Sequence, residues 1–491
     1  MNLNQLMGLA GQEIPIRDLR ELNKALQAST RAIMKGEVGY PLQGQAYVGG
    51  QGGTGELAPL VPQSIQNTLD SQTFLANHIR FWKMLAKRPV TSTLHEATRI
   101  NEHGTMALDP WFAEGSVPGI SEAEYERQVV QIKYLAEYIE LTDVSTMVGI
   151  IGANRSALAQ RTEDGTLALL GKLERLLFGA DSDLTPLAFD GLYKQLTTGA
   201  PDNYTDQRAN GVTPQFLQEL LGNVQADPNF GNPNAILVDP RQYQSLANIA
   251  TQHGRHDQIR NPATGIVTFG HNRLYVGSPY GNVEVMPCPL MRPVKFANAT
   301  ALGNNPPNSG AIPGVPTFVA GASALSQFTA ADAGNYFYTI VGVGDEGVTA
   351  PVSSVAVAVN AGDVVTFTIA DGAAAPDGTH SGIRYYRVFR SAKDATSAAG
   401  ALFMWEFPAN DNGGGNETIF IDDNAHIPGT APIFLLQNTP DVMYWAQLLD
   451  FTRRPLAQTT TTIPFLLMLF GSLFVKVPTK NWVVDNVPLN F

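Results

Sequence analysis

Cysteine is almost absent from this chain of 491 residues: Cys288, in the stretch MPCPL, is its only one. A single thiol excludes an intrachain disulfide and any cysteine-built metal cluster, and reads as a small buried residue. Charge is scarce as well, at 15% against the usual quarter. Basic residues are the scarcer kind, 32 against 44 acidic ones, for a net charge of -12. That balance argues against a protein that grips nucleic acid by neutralising phosphates; DNA near such a chain would be contained rather than bound. Long apolar runs are missing too. The most apolar stretch, Ile463 to Val475 (IPFLLMLFGSLFV), is shorter than the ~20 residues that span a bilayer, is interrupted by Pro464 and Gly471, and reads as a pair of buried strands. MNLNQLMGLAGQEIPIRDL at the start has no basic leader or small-residue cleavage site, so no export signal is expected. No serine or cysteine nucleophile motif stands out.

What is abundant is glycine (46) and proline (32), beside a hydrophobic share of 44%. With too much aromatic and β-branched content for disorder, this predicts a loop-rich, β-rich protein of roughly three domains. Residues 1 to 35 read as an amphipathic helix around Ile16 to Ile33, with Leu19, Leu22 and Leu26 on one side. The glycines of GEVGYPLQGQAYVGGQGGTGELAP then predict an extended arm that needs a neighbour to lie on. Leu60 to Leu85 reads as a second helix, ended by Pro89.

Thr91 to Thr142 differs in kind. Val130, Ile132, Tyr134, Ala136 and Tyr138 alternate with Gln131, Lys133 and Glu137, the period of a half-buried strand. TSTLHEATRINEHGT supplies a returning strand and DPWFAEGSVPGISE a tip, which predicts a long two-stranded excursion, too weak to stand alone and suited to packing on another subunit. A long helix follows over Asn154 to Gly179, with Leu158, Leu169, Leu173 and Leu176 at helical spacing. Arg161, Glu163, Asp164, Lys172, Glu174 and Arg175 fall largely between them. Gly165 and Gly171 each cost about 1 kcal/mol there, so packing must hold the helix, and Gly179 is a natural stop.

Val212 to Pro293 alternates PQFLQELLGNVQAD and PRQYQSLANI as helices with NAILVD, NRLYVG and NVEVMP as strands, an α+β pattern. Composition shifts at Ala301. Through Leu436 the strands GNYFYTIVGVG, VVTFTIA, IRYYRVFRS, ALFMWEF and ETIFIDD follow one another, with Val365, Phe367 and Ile369 on one face, as in a β-sandwich. This stretch holds twelve acidic and four basic residues, two thirds of the net charge of the chain.

Motifs that suggest chemistry have plainer readings. Gly342, Gly344 and Gly347 match the dinucleotide fingerprint, but a strand rather than a helix follows, so a hairpin turn is expected. His253, His256 and Asp257 lack further ligands and read as a polar loop. His95 and Glu96 lack the second histidine of a zinc-protease motif and are expected on an exposed strand. The pairs Glu122/Glu124 and Asp422/Asp423 read as solvated loops. Asn154, Asn203, Asn298 and Asn416 begin chance glycosylation triplets. No catalytic, cofactor-binding or metal residue is assigned.

The long helix with its flanks, FDGL at 189 to 192 and NFGNPNAILVDP at 229 to 240 resembles the major capsid proteins of tailed phages, the Hong Kong 97-type capsid fold. YFYTIVGVGDEGVTAPVS, YYRVFRS and TIFIDDNAHIPGT resemble a fibronectin type III-like or Ig-like insert of such proteins. The resemblance implies an α+β fold with an N-terminal arm (1–56), a peripheral domain (57–211) bearing the extended loop (91–142) and spine helix (154–179), and an axial domain (212–300 and 437–491) interrupted by the β-sandwich (301–436). It implies a non-enzymatic head protein without cofactors that self-assembles as hexamers and pentamers into an icosahedral virion shell around double-stranded DNA, away from any membrane. Scaffolding, portal and decoration proteins are the further partners it implies. An encapsulin-like compartment is the rival within the fold, and a secreted protein with a fibronectin-like module the rival outside it.

Overall fold

The computed structural model describes residues 75–104, 111–117, 120–147, 156–183, 186–253, 274–291, 316–344, 347–348, 351–370, 383–409, 417–458 and 461–490. The expected arm and its helix, His256, Asp257, Asn154, Asn298 and Asn416 lie outside them. The expected helix over Leu60 to Leu85 does not run through its described part. There the chain forms a 3-10 turn at Ala76–His78, a one-turn helix α1 (Phe81–Met84) and strand β1 (Lys87–Pro89). Pro89 is tolerated in β1 because this strand lies at a sheet edge.

Beyond β1 the excursion begins. Strand β2 (Leu94–Glu102) pairs antiparallel with β3 (Glu124–Gln131), from Leu94 opposite Gln131 to Ile100 opposite Tyr125. The chain then pivots at the fully buried Ile132 into β4 (Lys133–Thr142), which joins a different sheet. The pivot reverses the alternation expected from sequence. Leu135, Ile139 and Leu141 turn inward, whereas Tyr134 and Tyr138 face out. A short helix α2 (Asp143–Met147) follows.

Helix α3 (Ala157–Gly179) starts where Ser156 Oγ accepts a hydrogen bond from Ala159 N at 3.2 Å. Leu169, Leu173, Leu177 and Phe178 are buried, with Leu158 and Leu176 packed at the margin. Gly165 marks the crossing with the sheet: a Cβ there would come within 2.1 Å of Ile139 Cδ1 and 2.9 Å of Leu467 Cδ1. Its place in a helix is explained by close approach. Gly179 is the last helical residue, and Ala180 caps the helix in an extended conformation. Glu174, expected among the solvated charges, is wholly buried. Its Oε1 accepts from Arg80 N (3.0 Å) and Phe81 N (2.7 Å), its Oε2 from Trp82 N (2.8 Å). Burial pushes this carboxyl up, against the pull of those three N–H groups.

Helix α4 (Leu192–Gly199) and strand β5 (Tyr204–Asp206), which the sequence reading did not single out, come next; helix α5 (Pro214–Gln225), the wholly buried strand β6 (Ala235–Val238), helix α6 (Pro240–His253) and strands β7 (Leu274–Ser278) and β8 (Gly281–Pro287) then follow as the sequence pattern expects. Next come β9 (Thr317–Ala322), β10 (Gly334–Tyr336), β11 (Tyr338–Gly344), β12 (Gly347–Val348), β13 (Val352–Ser353), β14 (Val357–Val359), β15 (Asp363–Ala370), β16 (Ile383–Arg390), β17 (Leu402–Pro408) and β18 (Glu417–Asp422). One sheet runs β12-β11-β16-β17, with β13 also on β11, and another runs β18-β15-β9. A common core of Tyr338, Ile340, Val365, Phe367, Ile369 and Val388 lies between them. Gly344 pairs with Gly347 across a tight β11–β12 hairpin, the turn expected of the glycine match.

Asp422 contradicts its solvated reading. It is buried and bound by Arg390 Nη1 at 2.6 Å and Tyr338 Oη at 2.9 Å, while Arg390 Nη2 reaches Asn424 Oδ1 at 2.6 Å.

Strand β19 (Thr430–Leu436), which composition grouped with the insert, pairs instead with β6 and with β22 (Trp482–Pro488) in the sheet β5-β22-β19-β6-β8-β7. Strand β20 (Met443–Pro455) leads into β21 (Thr462–Val475), a single 14-residue strand where two were expected. It lies between β20 and β4 in the sheet β1-β20-β21-β4. Pro464 sits near its beginning, and Gly471 gives room to Trp445, whose ring a Cβ would approach within 2.4 Å.

Replacing Glu174 by Ala leaves the N–H groups of Arg80, Phe81 and Trp82 without their acceptor. Each such group, where buried, costs about 1–3 kcal/mol. The Glu174→Ala chain is expected to unfold at clearly lower denaturant concentration than the parent; an unchanged midpoint would show that the bonds are replaceable.

Candidate assembly surfaces

The β2–β3 hairpin has two unlike faces. His95, Ala97 and Arg99 alternate toward the body, whereas Leu94, Glu96, Thr98 and Ile100, with Tyr125, Arg127 and Val129 opposite, are exposed. Glu96 and Arg127 pair across this open face at 3.2 Å. His95 is not on an exposed face as expected. Its Nε2 lies 2.7 Å from Tyr444 Oη, and its ring stands edge-on to Tyr444 and Phe474. Arg99 bonds Glu126 at 2.6 Å and reaches Lys476 O at 3.4 Å. These contacts fasten the root of the hairpin. Beyond it, Trp111, Phe112, Val117 and Ile120 are 86%, 61%, 88% and 83% exposed. Four large apolar side chains so open to water mark a contact surface.

A second apolar surface is the outer face of the sheet β1-β20-β21-β4, opposite α3. Tyr134 and Tyr138 stand exposed on β4, and Phe470, edge-on to Tyr134 at 4.8 Å between ring centroids, is half-buried beside Leu466 and Met468. Sequence reasoning missed this face because it placed both tyrosines inside. The reversal at Ile132 is a tertiary event that strand periodicity does not carry.

Chemistry finds less support. Among the described residues no group of three or more His, Cys, Asp and Glu side chains is placed to hold a metal, and no helix is long and apolar enough to cross a membrane. Cys288 is buried as expected, and burial pushes its thiol well up. Asn203 is buried, its Nδ2 donating to Asn481 O at 3.0 Å, so it serves packing.

Residues 76–306 match the family model of the SU10 major capsid protein. Over most of its length the chain is similar to tailed-phage major capsid proteins. The major capsid protein of Staphylococcus phage S25-3 is 23% identical over 425 residues, covering 84% of this chain and 87% of its own. The putative major capsid protein of Enterococcus phage phiEF24C is 24% identical over 446 residues, covering 88% and 90%. A solved structure from Mycobacterium phage Bobi gives a TM-score of 0.41 at 11% identity over 88% of this chain and 97% of its own, an overlap too loose to carry weight. An extended hairpin, a long helix laid on a mixed four-stranded sheet and a second, six-stranded sheet are parts that the resemblance to the Hong Kong 97-type capsid fold leads one to expect. The match ends at residue 306, close to the composition shift at Ala301.

Burial and the positive charge of Arg88 hold the His95 imidazole below its usual range. An unfolded chain therefore takes up this proton first, so the root loses stability as pH falls below about 6.5 and is indifferent to pH above it. Amide protection of Ala97 is expected to fall between pH 7 and pH 5 in the parent and to stay flat over that range in His95→Gln. Parallel profiles would remove His95 from the root's stability.

Proposed function

We propose that this chain is a head-shell subunit: copies arranged as hexamers and pentamers close into an icosahedral virion capsid that encloses double-stranded DNA. Its role is assembly rather than turnover, and the cytoplasm of the host bacterium is where it assembles. The single observation that carries this reading is the hairpin with four exposed apolar residues beyond its root, on a chain related to phage capsid proteins. The described residues of its tip, 111–117 and 120, are exposed within their own chain, and a hairpin of this kind gains stability from a neighbour. The outer sheet face around Tyr134, Tyr138 and Phe470 supplies a matching apolar seat on the next copy. Tip and seat are different patches, so the contact is head-to-tail and propagates into rings rather than ending in a dimer. Many moderate interfaces then sum over a closed shell.

The residues from Ala301 onward that form the sandwich carry most of the net negative charge, and dense like charge disfavours placing them against packaged DNA. The sandwich accordingly projects outward. Scaffolding, portal and decoration proteins complete the set of partners.

Negative-stain microscopy of the purified chain is expected to show uniform closed particles; only monomers and small oligomers under all assembly conditions would oppose the reading. In a verified monomer, amide exchange across Leu94 to Gln131 is expected to be fast compared with β21, and equally strong protection of both would contradict dependence on a neighbour.

A further inference from the structure

The sheet β18-β15-β9 has one face in the sandwich core and one facing out. On the outer face, Ile421, Thr366 and Val319 stand opposite one another in one row, and Ile419, Thr368 and Thr317 in the next. Val319, Ile419 and Ile421 are exposed large apolar residues, and none of the six carries a charge. This is unusual ground for a segment in which acidic residues outnumber basic ones twelve to four.

We propose that this uncharged face is a contact between copies of the chain, packing sheet against sheet with the same face of a neighbouring subunit's sandwich in the assembled shell. The charge pattern selects that occupant. A basic partner is attracted by carboxylates, which these two rows lack, whereas a second copy is itself acidic and meets least repulsion where both surfaces are neutral. β-branched side chains on a pleated surface are also what facing sheets interdigitate.

Area sets the setting. Three strands spaced ~4.8 Å apart and two rows deep offer on the order of a few hundred Å². Stable pairs in solution bury about 800 Å² on each partner. The face is thus too small to hold a dimer by itself and works only between copies already held side by side, so the inference rests on the shell reading. Orientation is also fixed. Arg208 donates from Nη2 to Gln327 O at 2.6 Å and from Nη1 to Asn424 O at 2.8 Å, and Asn486 Nδ2 donates to Ala425 O at 2.7 Å. These bonds tie the sandwich to the β5-β22-β19-β6-β8-β7 sheet, so every copy presents the face at one angle.

The test is thiol crosslinking of the full chain carrying Val319→Cys, with Cys288 left in place because it is buried. A short bis-maleimide should give a covalent dimer from assembled particles and none from dissociated subunits. Val355→Cys, exposed but off this sheet, should give little in either state. Adding Thr366→Glu to Val319→Cys should leave closed particles while reducing the dimer several-fold. Closed particles without a Val319→Cys dimer, or with equal yields from both positions, overturn the contact and leave the shell reading standing. A parent chain that never closes into particles overturns the shell reading and this contact with it.

Discussion

Three backbone N–H groups converge on one buried carboxylate, and the entry of the chain into the sheet β1-β20-β21-β4 is arranged around that bond set. Glu174 sits on the inward face of α3, where an unpaired charge would be costly. Bonds to Arg80, Phe81 and Trp82 offset that cost and at the same time satisfy donors at the start of α1 that have no partner within the helix. The result fixes where the chain enters the sheet. α1 leads directly into β1, which runs parallel to β20 with Lys87 opposite Trp445, and the excursion departs from β1. The β2 side of the root is therefore placed by a side chain far along the chain, 79 residues from His95 to Glu174.

Much of this was legible in sequence where a single rule governed. The helix α3, the strands of the sandwich and the inward set Val365, Phe367 and Ile369 followed from periodicity, because each element buries one continuous face. Legibility failed where the partner lies far along the chain. Glu174 looked like a solvated charge because its acceptor role depends on backbone some 90 residues earlier. Asp422 looked like a loop carboxylate because Arg390 and Tyr338 are remote in sequence. The phase of β4 was misread because Ile132 turns the chain from one sheet to another, and alternation alone does not reveal which side is in. Gly165 and Gly471 were noticed only as costs or interruptions, although both are sites of close approach.

Composition misled in another way. Thr430–Leu436 shares its neighbourhood with the sandwich but is a central strand of the other sheet, and of the residues with left-handed backbone at this junction, Arg208 (φ 51), Ala209 (φ 59) and Asn486 (φ 52) lie outside the inserted stretch. Asn424 (φ 66), inside that stretch, links Arg390 in the sandwich to Arg208 beyond it. The sandwich has its own apolar core, yet these bonds bind it firmly at one orientation. Excising it at its composition boundaries would remove β19 and the acceptors of Arg208 together; keeping the segment from Asn424 onward retains β19 and the Asn424 acceptor, while Gln327 leaves with the sandwich.

The central claim is that exposed apolar residues beyond the hairpin root drive copies together. Sedimentation velocity of a chain with Trp111, Phe112, Val117 and Ile120 all changed to Ser tests it most directly. These side chains pack little within their own chain, so the variant should fold like the parent. The account predicts that the parent sediments as large closed particles while the variant remains as folded, slowly sedimenting subunits at the same concentration. A folded variant that closes into particles as readily as the parent would contradict it.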